Sequence, residues 1–212
     1  TEDKRTSLIV DPPDGRIPYT TEGHENATAR FAAFFGTVAA GPEDRALSER
    51  CILGFNSGPP MLPSAYNNNF QLFQTPDTVV ILNEMVHNAR VIPLDGRAHV
   101  APQVRQWVGD SRGRWEGETL VVETTNFLRD TSFPGSSVNL RLVERFTRVD
   151  ADMLVYEFTV EDPATWTRAW TVAVPTTKTE GPLFEYACHE GNYGMTNLLA
   201  GARKQEEESA DR

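Results

Sequence analysis

The chain has 212 residues, 30 of them acidic against 20 basic, and a formal net charge of −10. That balance argues against a nucleic-acid backbone or an anionic membrane surface as partner, since both require clustered Lys and Arg. No apolar run approaches the roughly 18 residues a membrane-spanning helix needs, so the expectation is one sizeable globular core without membrane insertion.

The sequence opens at Thr1 without Met and without a signal-peptide pattern, as a processed chain would, and this points to a periplasmic or secreted protein. Its two cysteines, Cys51 and Cys188, lie far apart and neither belongs to a CxxC pair. They are either two buried thiols or one disulfide; export favours the disulfide, which would staple the N-terminal region to the last strand.

Taken in order, residues 1–50 read as an extension that packs on a sheet. Ser7 to Val10 is a short strand stopped by Asp11-Pro12-Pro13-Asp14-Gly15. Thr20 or Thr21 can cap a helix running to about Phe35, whose apolar positions Phe31, Phe34, Phe35 and Val38 recur at helical spacing and should pack on the sheet. A second short helix is expected from Glu43 to Arg50. His24, at the start of the first helix, is expected to be solvated.

Residues 51–200 read as an antiparallel β domain. Asn56 to Ala65 is rich in proline and must be irregular. Tyr66-Asn67-Asn68-Asn69-Phe70 follows, either a turn entering a strand or a polar wall that recognises a ligand through amide hydrogen bonds. Expected strands cover Phe70 to Gln74, Thr78 to Pro93, Arg112 to Trp115, Thr119 to Phe127, Leu140 to Val149, Met153 to Glu161, Thr165 to Val174 and Leu183 to Glu190. Glu116-Gly117-Glu118 makes a tight turn in the middle of this series. Strands joined by short turns imply an antiparallel meander, and their length favours a curved sheet or a lipocalin-like barrel. Met195 to Lys204 can form a short last helix, and residues 201–212 look like a solvated polar tail.

Several groups could carry chemistry. In the run Thr78 to Pro93, His87 shares a face with Val79, Ile81, Asn83 and Met85, so an imidazole stands on an apolar strand face and could serve as a general base. His189 lies in Tyr186-Ala187-Cys188-His189-Glu190, beside the candidate disulfide. With Glu144 or Glu185 the two histidines could make a two-His, one-carboxylate metal site, although nothing in the spacing demands a metal, and no cofactor is assigned. Glu144 shares an apolar face with Leu142 and Phe146, so it needs a partner, for which Arg145 and Arg168 are candidates. Arg168 is flanked by Trp166 and Trp170 and could stack on a planar ligand or clamp an anionic one. Gly109-Asp110-Ser111 resembles the opening of some esterases, but no α/β pattern surrounds it. There is no nucleophile elbow, P-loop, dinucleotide fingerprint or His-Glu-x-x-His.

Residues Gly109 to Phe127, with Asn83 to Arg97 and Tyr186 to Tyr193, resemble a group of exported bacterial proteins common in soil bacteria. The group shares a Gly-Arg-Trp-Glu-Gly-(Asp/Glu)-Thr-Leu-Val-Val-(Glu/Asp)-Thr signature, and the likeness covers most of the chain after about Leu47. It implies export and brings no activity or catalytic residues with it.

Two functions follow from these readings. In the first, the chain is a lyase, isomerase or hydrolase acting on a small molecule in an aromatic-lined pocket, with His87 as base, His189 or Glu144 as acid, and Arg168 or Arg114 stabilising negative charge. In the second, it is a non-catalytic binding protein for a hydrophobic or glycosidic ligand, read by Tyr66, Asn68, Trp115, Trp166 and Trp170. Neither involves nucleic acid, and neither sets an oligomeric state.

Overall fold

The structure is a computed structural model that describes residues 5–36, 38–129, 133 and 135–210, with the side chains of 33–36 excluded. Among the described residues nine strands make two antiparallel sheets. The six-stranded sheet has the order β1(Ile9–Asp11), β9(Trp170–Thr177), β8(Met153–Glu161), β7(Arg141–Arg148), β6(Thr119–Thr125), β5(Asp110–Glu116). The three-stranded sheet runs β2(Phe70–Gln74), β3(Thr78–Asn83), β4(Ala89–Pro93). Helices α1(Thr21–Gly36) and α2(Tyr193–Ala210) lie near the two ends of the chain. The fold is therefore mainly β and curved, as the meander pattern implies, but the sheets do not close into a barrel.

Local chemistry accounts for most boundaries. Thr20 Oγ accepts the Gly23 N–H at 2.9 Å and so caps α1. The β5–β6 hairpin turns at Gly117, whose φ of +61° suits a residue without Cβ. Along β6, Leu120, Val122 and Thr124 bury one face, and Val121 is buried on the other. Val121 stands directly between Arg114 and Arg145 in the ladder, where long cationic stems can cover it.

The core lies between the sheets. It joins Val79, Ile81 and Ile92 of the small sheet to Leu120, Val122, Leu142, Phe146, Phe158 and Val172 of the large one. Trp166, Trp170 and Phe133 fill one flank with edge-on ring contacts at 5.2–5.9 Å. At the far side β4 lies against β5. There Gly113 leaves room for Ile92 and Leu94, whose methyls stand 2.8 and 2.6 Å from where a Cβ would sit.

Several expectations need correction. The run Thr78 to Pro93 is not one strand but a hairpin, because Glu84 to Asn88 turn back and pair β3 with β4. Val86 and His87 adopt φ of +59° and +49°, a turn that the alternation running through both flanking strands conceals. Leu183 to Glu190 is an irregular strap rather than a strand. The strand expected from Thr165 starts only at Trp170, because Thr165 to Thr167 turn around Asp162 and Pro18. Helix α2 continues through Gln205 to Glu208, where strong helix formers and the Arg203–Glu206 pair outweigh solvation. Phe31 is 69% exposed, and α1 approaches the rest of the fold at Gly23, where an added Cβ would meet the Thr165 backbone, and through Arg30, which bonds the Arg129 and Ser136 carbonyls; the Phe34 and Phe35 side chains lie outside the described residues. In place of the expected second helix there is one 3-10 turn, Pro42–Asp44.

Candidate functional site

A cleft of about 800 Å³ opens between β2 and the ends of β8 and β9. Its size lies within the range of pockets that enclose drug-sized ligands, about 300–1,000 Å³. Phe70 and Leu72 form one wall, Leu154, Val174 and Pro175 the other, and Met61 and Tyr156 the floor. Five asparagines line it as well: Asn56, Asn67, Asn68, Asn69 and Asn83.

The amide wall is built by its own side chains. Asn56 Nδ2 faces Ser64 Oγ at 2.8 Å, the carbonyls of Tyr66 and Asn67 at 3.2 and 3.1 Å, and Asn68 Oδ1 at 3.3 Å. Asn68 Oδ1 accepts the Ser64 N–H at 2.7 Å, and its Nδ2 donates to the Ser64 carbonyl at 2.7 Å. Asn67 takes a left-handed φ of +50°, which asparagine tolerates better than most residues. Four acceptors around Nδ2 fix the orientation of the Asn56 amide. Its Oδ1 is left buried without a partner among the described residues.

Beneath the floor lies a buried polar network. Arg90 of β4 grips Glu144 of β7 with two bonds, of 2.5 and 2.9 Å. Tyr156 Oη donates to Glu144 Oε1 at 2.7 Å and accepts the Met61 N–H at 3.0 Å. Glu144 is 0% and Arg90 4% exposed, so each is a charge that only the other makes tolerable. Burial works against the Arg90 charge, yet the facing carboxylate outweighs it and leaves the Arg90 pKa raised. Burial first, and then the negative Glu144, push the Tyr156 phenol well above its ordinary value, so Tyr156 stays a donor. With its oxygens committed to Arg90 and Tyr156, Glu144 is a strut between the sheets rather than an acid facing substrate.

The end of the small sheet is strapped. Cys51 and Cys188 form a disulfide. The segment it holds donates the Phe184 N–H to Glu84 Oε1 at 3.3 Å and the Tyr186 N–H to His87 Nδ1 at 3.2 Å. Glu84 Oε2 in turn accepts Asn69 Nδ2 at 2.8 Å, which ties the strap to the cleft wall. Cys51, Asn67, Val86 and His87 all have positive φ here, a concentration of backbone strain that surrounding contacts must hold.

The sequence candidates separate accordingly. Asn68 is in the cleft wall. Tyr66 is half-exposed beside it, stacked edge-on with Phe55 at 5.7 Å. His87 is exposed on the strained turn, not on an apolar strand face, and its Nδ1 is occupied by the Tyr186 N–H. His189 is exposed in the strap. Glu144 is paired with Arg90, while Arg145 bonds Glu116 at 2.9 Å. Arg114 and Trp115 stand on the edge strand β5, away from the cleft, with Arg114 paired to Glu116 at 2.7 Å. Arg168 is exposed and bonds Asp11 instead of stacking between tryptophans. Trp170 and Trp166 are core residues whose indole N–H groups lack partners among the described residues. Ser111 is buried, with its hydroxyl bonded to Thr124 at 2.9 Å. Among the described residues no three His, Cys, Asp or Glu side chains are placed to hold a metal ion, so the two-His, one-carboxylate set is not assembled.

Sequence reasoning missed Arg90, Tyr156, Asn56 and Asn83. A signal for Arg90 existed: Glu144 on an apolar face demanded a buried cation, and Arg90 sits two residues from Ile92 on what becomes the inner face of β4. No family model, curated protein or solved structure matches the chain.

Proposed function

We propose that the chain is an exported, non-catalytic binding protein that takes an elongated ligand in the cleft. The ligand would combine apolar surface with groups that hydrogen-bond to amides. One observation carries this reading: amides line the cleft above a floor whose buried carboxylate is already neutralised by Arg90. The Cys51–Cys188 disulfide supports export, because such bonds persist in oxidising compartments.

An acid–base enzyme is the weaker reading. A base needs a free lone pair within reach of its substrate, and His87 spends Nδ1 on the strap. The two readings part under mutation. Calorimetric titration of a panel of oligosaccharides, peptides and apolar small molecules should find a binder. Asn68→Ala should weaken it about tenfold, as the loss of one oriented polar wall residue implies, while His87→Ala and His189→Ala leave it unchanged. Turnover lost on His87→Ala with the fold intact would defeat the proposal.

A further inference from the structure

The backbone of β2 indicates what kind of ligand the cleft takes. In an antiparallel ladder the mutually bonded pairs alternate with pairs whose N–H and C=O point away. Glu84 N–H bonds the Asn69 carbonyl at 2.9 Å, and Thr75 N–H bonds that of Thr78 at 2.8 Å, at the two ends of β2. Asn69, Gln71, Phe73 and Thr75 therefore turn their backbones to β3. Phe70, Leu72 and Gln74 turn theirs outward, to an edge with no strand beside it among the described residues.

This edge lacks the usual protections. The strand Phe-Gln-Leu-Phe-Gln carries no charge, no proline and no bulge. The opposite bank differs. Ala173 N–H bonds the Leu8 carbonyl and Lys178 N–H the Asp152 carbonyl, so the odd-numbered residues of β9 face away from β8. Beyond the end of β1 these are Pro175 and Thr177, and Pro175 has no N–H to offer.

We infer that the cleft binds an extended peptide, which adds as a strand to the open edge of β2. This inference rests on the binding role proposed above and names its ligand. Phe70, Leu72 and Gln74 present N–H and C=O couples repeating every second residue, the complement of an extended backbone. Alternate side chains of the peptide would then point down to Met61, Tyr156 and Leu154 and up to solvent. Two cations, Arg148 and Lys178, line the cleft against one carboxylate, Asp152, in a chain of net charge −10. Arg148 closes the β7–β8 turn on the Asp150 and Ala151 carbonyls, whereas Lys178 has no ion-pair partner among the described residues. Peptides that carry an acidic residue beside Lys178 are therefore favoured.

The test uses the full chain, disulfide intact, and a displayed library of random heptapeptides. The expected result is enrichment of acidic-apolar sequences whose affinity falls about tenfold or more when one alternate backbone N–H is methylated, and not when its neighbour is, since only every second residue bonds β2. Leu72→Pro removes an outward N–H without touching the β3 ladder and should weaken the same peptides; methylation on the peptide side keeps the test valid if that variant misfolds. No enrichment, or loss on methylation without alternation, overturns the inference. An oligosaccharide or apolar compound that binds with Asn68 dependence but is indifferent to Leu72→Pro overturns the peptide while preserving the binding role. Absence of any cleft ligand overturns both. A concentration-dependent dimer abolished by Leu72→Pro would replace the peptide with a second copy of the chain.

Discussion

Where β4 meets β5, Gly113 has no side chain and Ile92 and Leu94 fill the space it vacates, so the two sheets touch. Where β2 faces β9, Phe70 and Leu72 look across a cleft at Val174 and Pro175, and the sheets stand apart. The same pair of sheets is sealed at one side and open at the other. Between the two sides, Arg90, Glu144 and Tyr156 pin β4 to β7 and β8. The sealed side makes the core. The open side is lined by asparagines and strapped by a disulfide, and it is where we propose that the ligand binds.

Breaking the central pin should have the largest effect. Glu144→Leu leaves Arg90 buried and unpaired, and should destabilise the fold by about 3–5 kcal/mol in urea unfolding. Adding Arg90→Met should recover much of that loss, because neither charge then remains; failure to recover would mean that the pair is worth more than its hydrophobic replacement.

Removing the strap comes next. Cys51→Ala with Cys188→Ala opens a closure spanning a sequence separation of 137 residues, and should cost about 2–5 kcal/mol. Hydrogen exchange should rise at the open side, in Glu84 to Asn88 and 184–189, and much less in β5 and β6. Uniform loss of protection would deny that the two sides differ in local stability.

Gly113→Val tests the sealed side. Its new methyls would press on Ile92 and Leu94 and should cost about 1–3 kcal/mol by overpacking. Cleft binding should persist in this variant, and its loss would show that the two sides are coupled.

The smallest effect is on pH dependence. On the outer face of the large sheet the Arg141 guanidinium holds the Glu123 carboxyl below its ordinary value of 4.5 despite partial burial. A depressed folded pKa means that the unfolded chain binds the proton more readily. This contribution is therefore present above the unfolded pKa and is lost as pH falls through the lowered one. Urea midpoints compared between about pH 6 and about pH 3 should drop slightly less in Glu123→Gln than in the wild type.

Much of the fold was legible along the chain. Alternation marked β6, β7 and β8, Gly117 marked the central hairpin, Thr20 the start of α1, and the meander the antiparallel class. These are local signals, set by periods of two and 3.6 residues and by turn chemistry. The asparagine run was open to two readings, a turn entering a strand or a polar wall, and it leads into β2 at Phe70 while Asn67, Asn68 and Asn69 also line the cleft. The errors fell where tertiary contacts override local pattern. Residues Thr78 to Pro93 alternate like one strand, and the reversal at Val86 is accompanied by contacts from distant segments, the strap bonding Glu84 and His87 and Asn69 bonding Glu84. Trp166 and Trp170 look alike as ligand platforms or as core until Phe133 packs against them. Sequence by itself determined most of the strands of the large sheet and that Glu144 needed a cation. Which cation answers it, and which edge of the sheets stays open, depended on contacts between residues 54 apart or more in the chain. Such contacts leave no local period, because burial and charge pairing act through space rather than along the backbone.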